Sequence, residues 1–216
     1  MSSEDALVEL RTPARRIRRR RSRRAHEVST RNARVREQLT RICLDLLLAR
    51  GWDGVRVAEV ARGAHVSHSK IYLLFGSREN LLGAAVRTWM SETLPAPSRD
   101  DRPSGARQAL QSAASSAITP WVLNPTMLDA LRRASALPGG EQMAQQLSAH
   151  AALMFEAALD PRDRALTSGT RRTLAGLVAA VVQGECVGAT SPEGMERTLE
   201  GAINRATLEQ RALEAS

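Results

Sequence analysis

A chain of 216 residues with 43% hydrophobic but only 3% aromatic residues must build its core from Leu, Ala, Val and Ile, which suits packed helices better than aromatic, β-branched sheets. The net charge of +8 is concentrated: nine Arg and no acid lie between Arg11 and Arg24, and outside that run 22 basic residues face 23 acidic ones. Two isolated cysteines, Cys43 and Cys186, argue against a disulfide framework or zinc site and read as small buried side chains; no apolar run approaches the ~18 residues of a membrane span.

Residues 1–30 are polar, Arg-rich and without apolar periodicity, so an arm disordered when unbound is expected there. No apolar h-region follows the Arg run, so a secretory signal is not expected and the chain reads as cytoplasmic. From Asn32 onward Val35, Leu39, Ile42, Cys43, Leu46 and Leu47 recur at helical spacing, and Gly51 is placed to stop that helix. Val57, Val60 and Ala61 form the inner face of a short second helix. Ser67 caps a third, with Ile71, Leu74 and Phe75 inward, and Ser77 caps a fourth running past Trp89. The polar stretch Ser98–Pro103 reads as a connector.

Beyond it, five more helical segments are expected near 104–118, 122–137, 140–159, 162–189 and 193–214, with Pro120 among their punctuators. Strand alternation is absent, so the expected fold is all-α. It comprises an arm (1–30), a three-helix helix-turn-helix domain (31–95) and a helical regulatory and dimerisation domain (104–216). The apolar stripe Leu174, Leu177, Val178, Val181 and Val182 is either a core face of one chain or, with the last helix, half of a four-helix dimer interface.

The short third helix has too few residues to bury much, yet it carries His68, Ser69, Lys70 and Tyr72 after the Ser67 cap. That composition fits a helix entering a DNA major groove. Lys70 and Arg78 stand in first turns, where a cation opposes the helix dipole. Each is either a solvated charge or a group awaiting a phosphate or guanine partner. Tyr72, the single Tyr, is read as a hydroxyl reaching phosphate rather than a buried ring. His65 falls in the turn, where a left-handed residue is commonly wanted.

The elements Arg50-Gly51-Trp52-Asp53, Val57-Ala58-Glu59-Val60-Ala61, Ala64-His65-Val66-Ser67 and Ile71-Tyr72-Leu73-Leu74-Phe75-Gly76-Ser77-Arg78-Glu79-Asn80-Leu81 together resemble the DNA-binding domain of the TetR family of bacterial transcriptional regulators. The resemblance covers about a quarter of the chain. It implies an all-α homodimer, a palindromic double-stranded operator and a variable C-terminal domain that often binds a small molecule. It further implies DNA contacts from Ser67, Ser69, Lys70 and Tyr72, with Arg78 and Arg56 near phosphates. Three departures stand out: His65 where the family usually has Gly, Val55-Arg56 where it usually has Thr, and Ser69-Lys70 where it often has Gly-Thr. The Arg arm (Arg15, Arg16, Arg18, Arg19, Arg20, Arg21, Arg23, Arg24) is either a minor-groove extension or a nonspecific electrostatic tail.

The C-terminal half is nearly neutral and so not a second nucleic-acid surface. Trp121, Met127, Met143, His150, Met154, Phe155, Gln183 and Cys186 are the residues offered for an effector pocket, although such apolar residues are mostly core. No catalytic triad, phosphate-cradling Gly loop or metal motif occurs, so neither enzyme nor cofactor is expected. The expectation is a homodimeric repressor released by a small molecule. The alternative is a ligandless or architectural DNA-binding protein anchored by the arm; a membrane-surface role ranks last because the Arg run lacks an apolar face.

Overall fold

The periodic apolar residues from Leu39 to Leu47 do form one buried face: Leu39, Cys43, Leu44 and Leu47 are all within 3% of complete burial. They lie on α1 (Ser3–Gly54). A computed structural model of the chain describes the backbone of residues 3–96, 106–158, 168–183 and 192–214 and, from Glu27 onward, most side chains within them. Among the described residues there is no strand.

Gly51 takes φ 72° and ψ 177°, so the long helix stops at Arg50 and a single turn, Trp52–Gly54, follows. Only a residue without a Cβ accepts that conformation cheaply. The backbone is helical from Ser3, so the Arg run, expected as a disordered arm, is an N-terminal extension of α1 instead. Arg is among the stronger helix formers, and a helix already nucleated by packed turns downstream propagates through such a run at little cost per residue.

Three short helices follow: α2 (Val57–Gly63), α3 (His68–Phe75) and α4 (Arg78–Thr93). Ser67 and Ser77 cap α3 and α4 as expected, their hydroxyls accepting from the backbone N–H groups of Lys70 and Asn80. The second part of the chain comprises α5 (Ala106–Leu123), α6 (Pro125–Ser135), α7 (Glu141–Ala158), α8 (Ser168–Gln183) and α9 (Pro192–Glu214). Pro120, expected as a punctuator, lies inside α5. It falls in the last turn, where the helix has little left to lose, and the freed geometry is closed by Asn124 Nδ2 donating to the Pro120 carbonyl at 2.8 Å. With its amide so engaged, Asn124 offers no side-chain cap to α6, which starts instead on Pro125, a favourable first residue.

The helices share a single apolar core running from Leu39 through Trp89 and Trp121 to Ile203. The α4 and α5 rings of Trp89 and Trp121 meet at 4.8 Å between centroids, tilted by 59°. Helix α6 is the shared element: it packs on α1 and α4 at one side and on α5, α7 and α8 at the other. Its exposed Arg133 reaches across to Asp53 at 3.0 Å and back to Asp129 at 3.0 Å.

Of the residues offered for an effector pocket, Trp121, Met127, Met143, Met154 and Phe155 belong to this core, and His150 is half-buried. Core packing already occupies their side chains, which is why apolar identity alone could not single out a cavity. The side chain of Gln183 and all of Cys186 lie outside the described residues. An open groove of about 220 Å³ lies elsewhere, between α5 and α9, lined by Gln111, Ala114, Ser115, Ile118, Leu199, Glu200 and Ile203. On α8, Leu174, Val178 and Val181 are buried within the chain itself, so the core reading holds for these three.

Burial pushes the Cys43 thiol up to about 12, against a smaller opposing pull from the Arg78 charge. The thiolate is therefore scarce at neutral pH, and a buried thiol is inert. Iodoacetamide at pH 8 should leave Cys43 unmodified in the native protein and label it fully in 6 M guanidinium (about that concentration unfolds most domains), as read by peptide mass.

Candidate nucleic-acid interface

An eight-residue helix cannot hold itself together in water, so α3 takes its stability and its direction from what it touches. Ile71 is fully buried and Leu74 nearly so, which turns one face into the core. Helix α1 then holds α3 at two points. Lys70 Nζ donates to Asn32 Oδ1 at 2.7 Å. One turn further on both helices, Arg36 Nη2 donates to the Leu74 carbonyl, and its guanidinium lies over the Phe75 ring, 5.0 Å from the centroid. The two braces join residues four apart on α1 to residues four apart on α3, so they set the angle between the helices as well as their separation.

The turn between α2 and α3 contains His65 at φ 53°, the one non-glycine residue with positive φ among the described residues. The left-handed position inferred from sequence is therefore real, and His occupies it at a cost of about 1 kcal/mol. Arg56 stands at the N-cap of α2 and makes no side-chain cap bond, in keeping with the missing hydroxyl. The first turn is closed by backbone alone, with Glu59 and Val60 N–H groups donating to the Arg56 carbonyl.

The face of α3 turned away from the core carries Ser67, His68, Ser69, Tyr72 and Leu73, all exposed. Arg56 is also exposed. Lys70 is half-buried, yet an ammonium has three donors and an uncharged amide takes only one of them. Its positive charge stays unneutralised at the edge of this face.

Arg78 is placed differently from expectation. Its side chain is only a quarter exposed; Nε donates to the Val55 carbonyl at 3.1 Å and Nη2 to the Trp52 carbonyl. Its negative partners within the chain are the carbonyls of Trp52, in the last turn of α1 where a cation is favoured by the helix dipole, and of Val55 just beyond it, with the Glu79 carboxylate 3.6 Å away. The rule violation seen in the sequence was genuine, but its resolution lies in residues 23 and 26 positions earlier.

Leu73 was missed by sequence reasoning. It is 76% exposed and sits one turn after Ser69, on the face that also presents Tyr72. A large apolar side chain standing free beside exposed polar residues is costly in water but suits the methyl group of thymine. Counting four residues on from Ser69 would have found it. Asn32 and Arg36 were missed too, because their roles arise only from the α1–α3 contact. The Arg-arm residues Arg15 to Arg24 lie on the helical backbone of α1, and their side chains are outside the described residues. No cluster of three His, Cys, Asp or Glu suited to a metal occurs among the described residues, nor is any helix there long and apolar enough to cross a membrane.

A family profile described as bacterial regulatory proteins of the tetR family matches residues 44–85, the segment from the buried turns of α1 into the first half of α4. Comparison with curated proteins returns no match. Among solved structures, a TetR transcriptional regulator from Rhodococcus sp. RHA1 is similar with a TM-score of 0.57 and 18% identity, over 82% of this chain and 97% of that one. RolR in complex with resorcinol is similar with a TM-score of 0.53 and 17% identity, over 85% of this chain and 94% of that one. At such identity the likeness is one of fold.

Replacing Arg78 by Met should lower stability by about 2 kcal/mol, the scale of hydrogen bonds from a charged donor, as read by urea denaturation. Replacing His65 by Gly should raise it by about 0.5 kcal/mol, since relief of left-handed strain is partly offset by backbone entropy.

Proposed function

We propose, for a chain that belongs to the TetR family of bacterial regulatory proteins and is a DNA-binding transcriptional regulator, that it acts as a homodimeric repressor released from a palindromic operator by a small molecule. The observation that carries the reading is the outward face of α3: His68, Ser69, Tyr72 and Leu73 are presented together on a helix held at two points by α1. A helix presented in this way supplies donors to base edges and an apolar contact to thymine. Phosphate contacts then come from Arg56, Ser67 and the free donors of Lys70, positioning the helix without reading sequence. The Arg-rich start of α1 emerges beside α3, because Asn32 already touches Lys70. Its arginines are therefore assigned to phosphates flanking the site read by α3.

One α3 reads about half a turn of duplex, so specificity at a palindrome calls for two copies. Helices α8 and α9 are proposed as the dimer interface. The side of α8 not used by the core carries Gly176, which is exposed, with Ala180 half-buried. A Cβ added at Gly176 would meet nothing within 4 Å. Small residues on such a face permit close helix packing.

Helix α6 is suited to couple the two halves, since it packs on α1 and α4 as well as on α5, α7 and α8. A shift of α6 under an effector would move α4, and with it the α3 that precedes it. RolR's complex with resorcinol supports a small-molecule reading of a helical domain of this kind. One feature favours the second reading, a ligandless or architectural DNA-binding protein: the dense Arg run gives salt-sensitive affinity that needs no base contact.

The decisive test is fluorescence anisotropy with duplex from upstream of the coding region and a scrambled duplex, across a salt series. The repressor reading expects a clear preference for the upstream duplex that survives removal of residues 1–26. That removal should flatten the salt dependence, by about 0.9 in the log–log slope for each phosphate the arm had neutralised. Equal binding to both duplexes, abolished with the arm, favours the architectural reading. Leu73→Ser should weaken binding to the upstream duplex about tenfold while leaving the scrambled one unchanged, the effect expected of one base contact. Gly176→Arg should keep the helical circular dichroism signal yet shift sedimentation from dimer to monomer.

A further inference from the structure

Helix α6 carries two adjacent arginines with opposite situations. Arg133 is exposed and paired with Asp53 and Asp129. Arg132 points no charge at an acid: its Nε and Nη2 are shielded from solvent and have no hydrogen-bond partner. A cation in the last turn of a helix is favoured by the dipole, which accounts for two arginines in the sequence. It does not account for shielding one edge of the guanidinium of one of them, because Arg133 next door reaches water freely. Arg132 is half-buried as a residue, but N–H donors shielded from water without a partner are costly, and each such group calls for a partner.

The identity of the two free donors narrows the ligand. Nε and Nη2 lie along one edge of the guanidinium and form the fork that donates to both oxygens of a carboxylate side by side. Ser135 follows three residues later on the same face of α6, and its Oγ is likewise buried without a partner. Leu128, four residues before Arg132 on that face, is 8% exposed. Elsewhere on helices that pack on α6, Trp121 Nε1 on α5 and His150 Nε2 on α7 are also buried without a partner. Burial also holds His150 below its ordinary value, so its imidazole is uncharged at neutral pH. Around them α5 and α7 contribute Ile118, Leu147, Met154 and Phe155 to the apolar core. Inorganic anions, hydrated on every side, match such surroundings poorly.

We infer that Arg132 and Ser135 form a binding site for a small organic carboxylate with an apolar body. The inference rests on the reading of α5–α9 as an effector domain, and it gives that domain a ligand class and an anchoring residue. Occupancy would be felt directly in the DNA-reading half, because the next residue along α6, Arg133, is tied to Asp53 at the end of α1.

The test uses the full-length protein, titrated calorimetrically with benzoate, salicylate and hexanoate. Benzamide serves as the uncharged isostere and sulfate as the inorganic anion. The expected result is saturable binding of at least one carboxylate, with benzamide and sulfate at least about tenfold weaker, as the absence of a charged hydrogen-bonded pair implies. Arg132→Met should abolish binding, and Arg132→Lys, which keeps the charge but not the fork, should weaken it about tenfold. Both variants are checked for an unchanged helical circular dichroism signal and unchanged binding to the upstream duplex. Ser135→Ala offers a milder test, with binding weakened several-fold and the charge untouched. No binding by any of the three carboxylates, equal binding of benzamide or sulfate, or full binding by Arg132→Met overturns the inference. Upstream-duplex anisotropy on the same samples separates the two readings. Carboxylate binding that leaves duplex affinity unchanged would uphold the site and refute effector release. Intact duplex recognition without carboxylate binding would refute the site alone.

Discussion

The direction in which α3 faces depends on a pair of contacts from α1, the Lys70–Asn32 bond and the Arg36 bond to the Leu74 carbonyl. A helix of eight residues contributes almost no stability of its own, and burial of Ile71 and Leu74 fixes only which side faces inward. The braces remove the remaining freedom, rotation of α3 across the surface of α1. They also explain why α1 is a core helix and a strut at once: Leu39, Cys43 and Leu47 bury one side of it, while Asn32 and Arg36, just before, are left to hold its neighbour.

Arg78 performs a similar service at the other end of α3. By donating to the carbonyls of Trp52 and Val55, it ties the start of α4 to the chain leaving α1, so that α2 and α3 form a closed loop of structure between fixed ends. Around it, exposed ion pairs such as Arg41–Glu92 and Arg50–Glu59 join α1 to α4 and α2. Exposed pairs of this sort align helices more than they stabilise them. The stabilising contribution comes from the apolar core beneath, which continues without interruption into the second half of the chain.

That continuity bears on regulation. Two domains joined only by a linker would move independently, whereas here α6 belongs to the packing of both halves. Packed cores shift between discrete arrangements rather than deforming smoothly, so displacement of α6 is a physically sound route from a buried site to α3. Gly83 on α4 strengthens the point: a Cβ there would stand 3.2 Å from Met143 Cε on α7, so these two helices are already in close contact.

Much of this was written locally in the sequence. Helical periodicity located the buried face of α1, hydroxyl residues marked the starts of α3 and α4, and Gly51 and His65 signalled backbone with positive φ, because each depends on neighbours within a few residues. The DNA-reading segment was legible for the same reason, and its matching profile covers residues 44–85. What the sequence left open was settled by contacts between residues far apart in the chain. Lys70 and Arg78 looked alike as misplaced cations, yet one meets a side-chain amide 38 residues earlier and the other meets the carbonyls of Trp52 and Val55 at and just after the end of α1. The Met and aromatic residues offered for a pocket could not be told from core, since burial is a property of the assembled helices. Arg132 and Arg133 are adjacent and chemically identical, and only the packing of α6 made one an exposed link to Asp53 and left the other with two shielded, unpartnered donors.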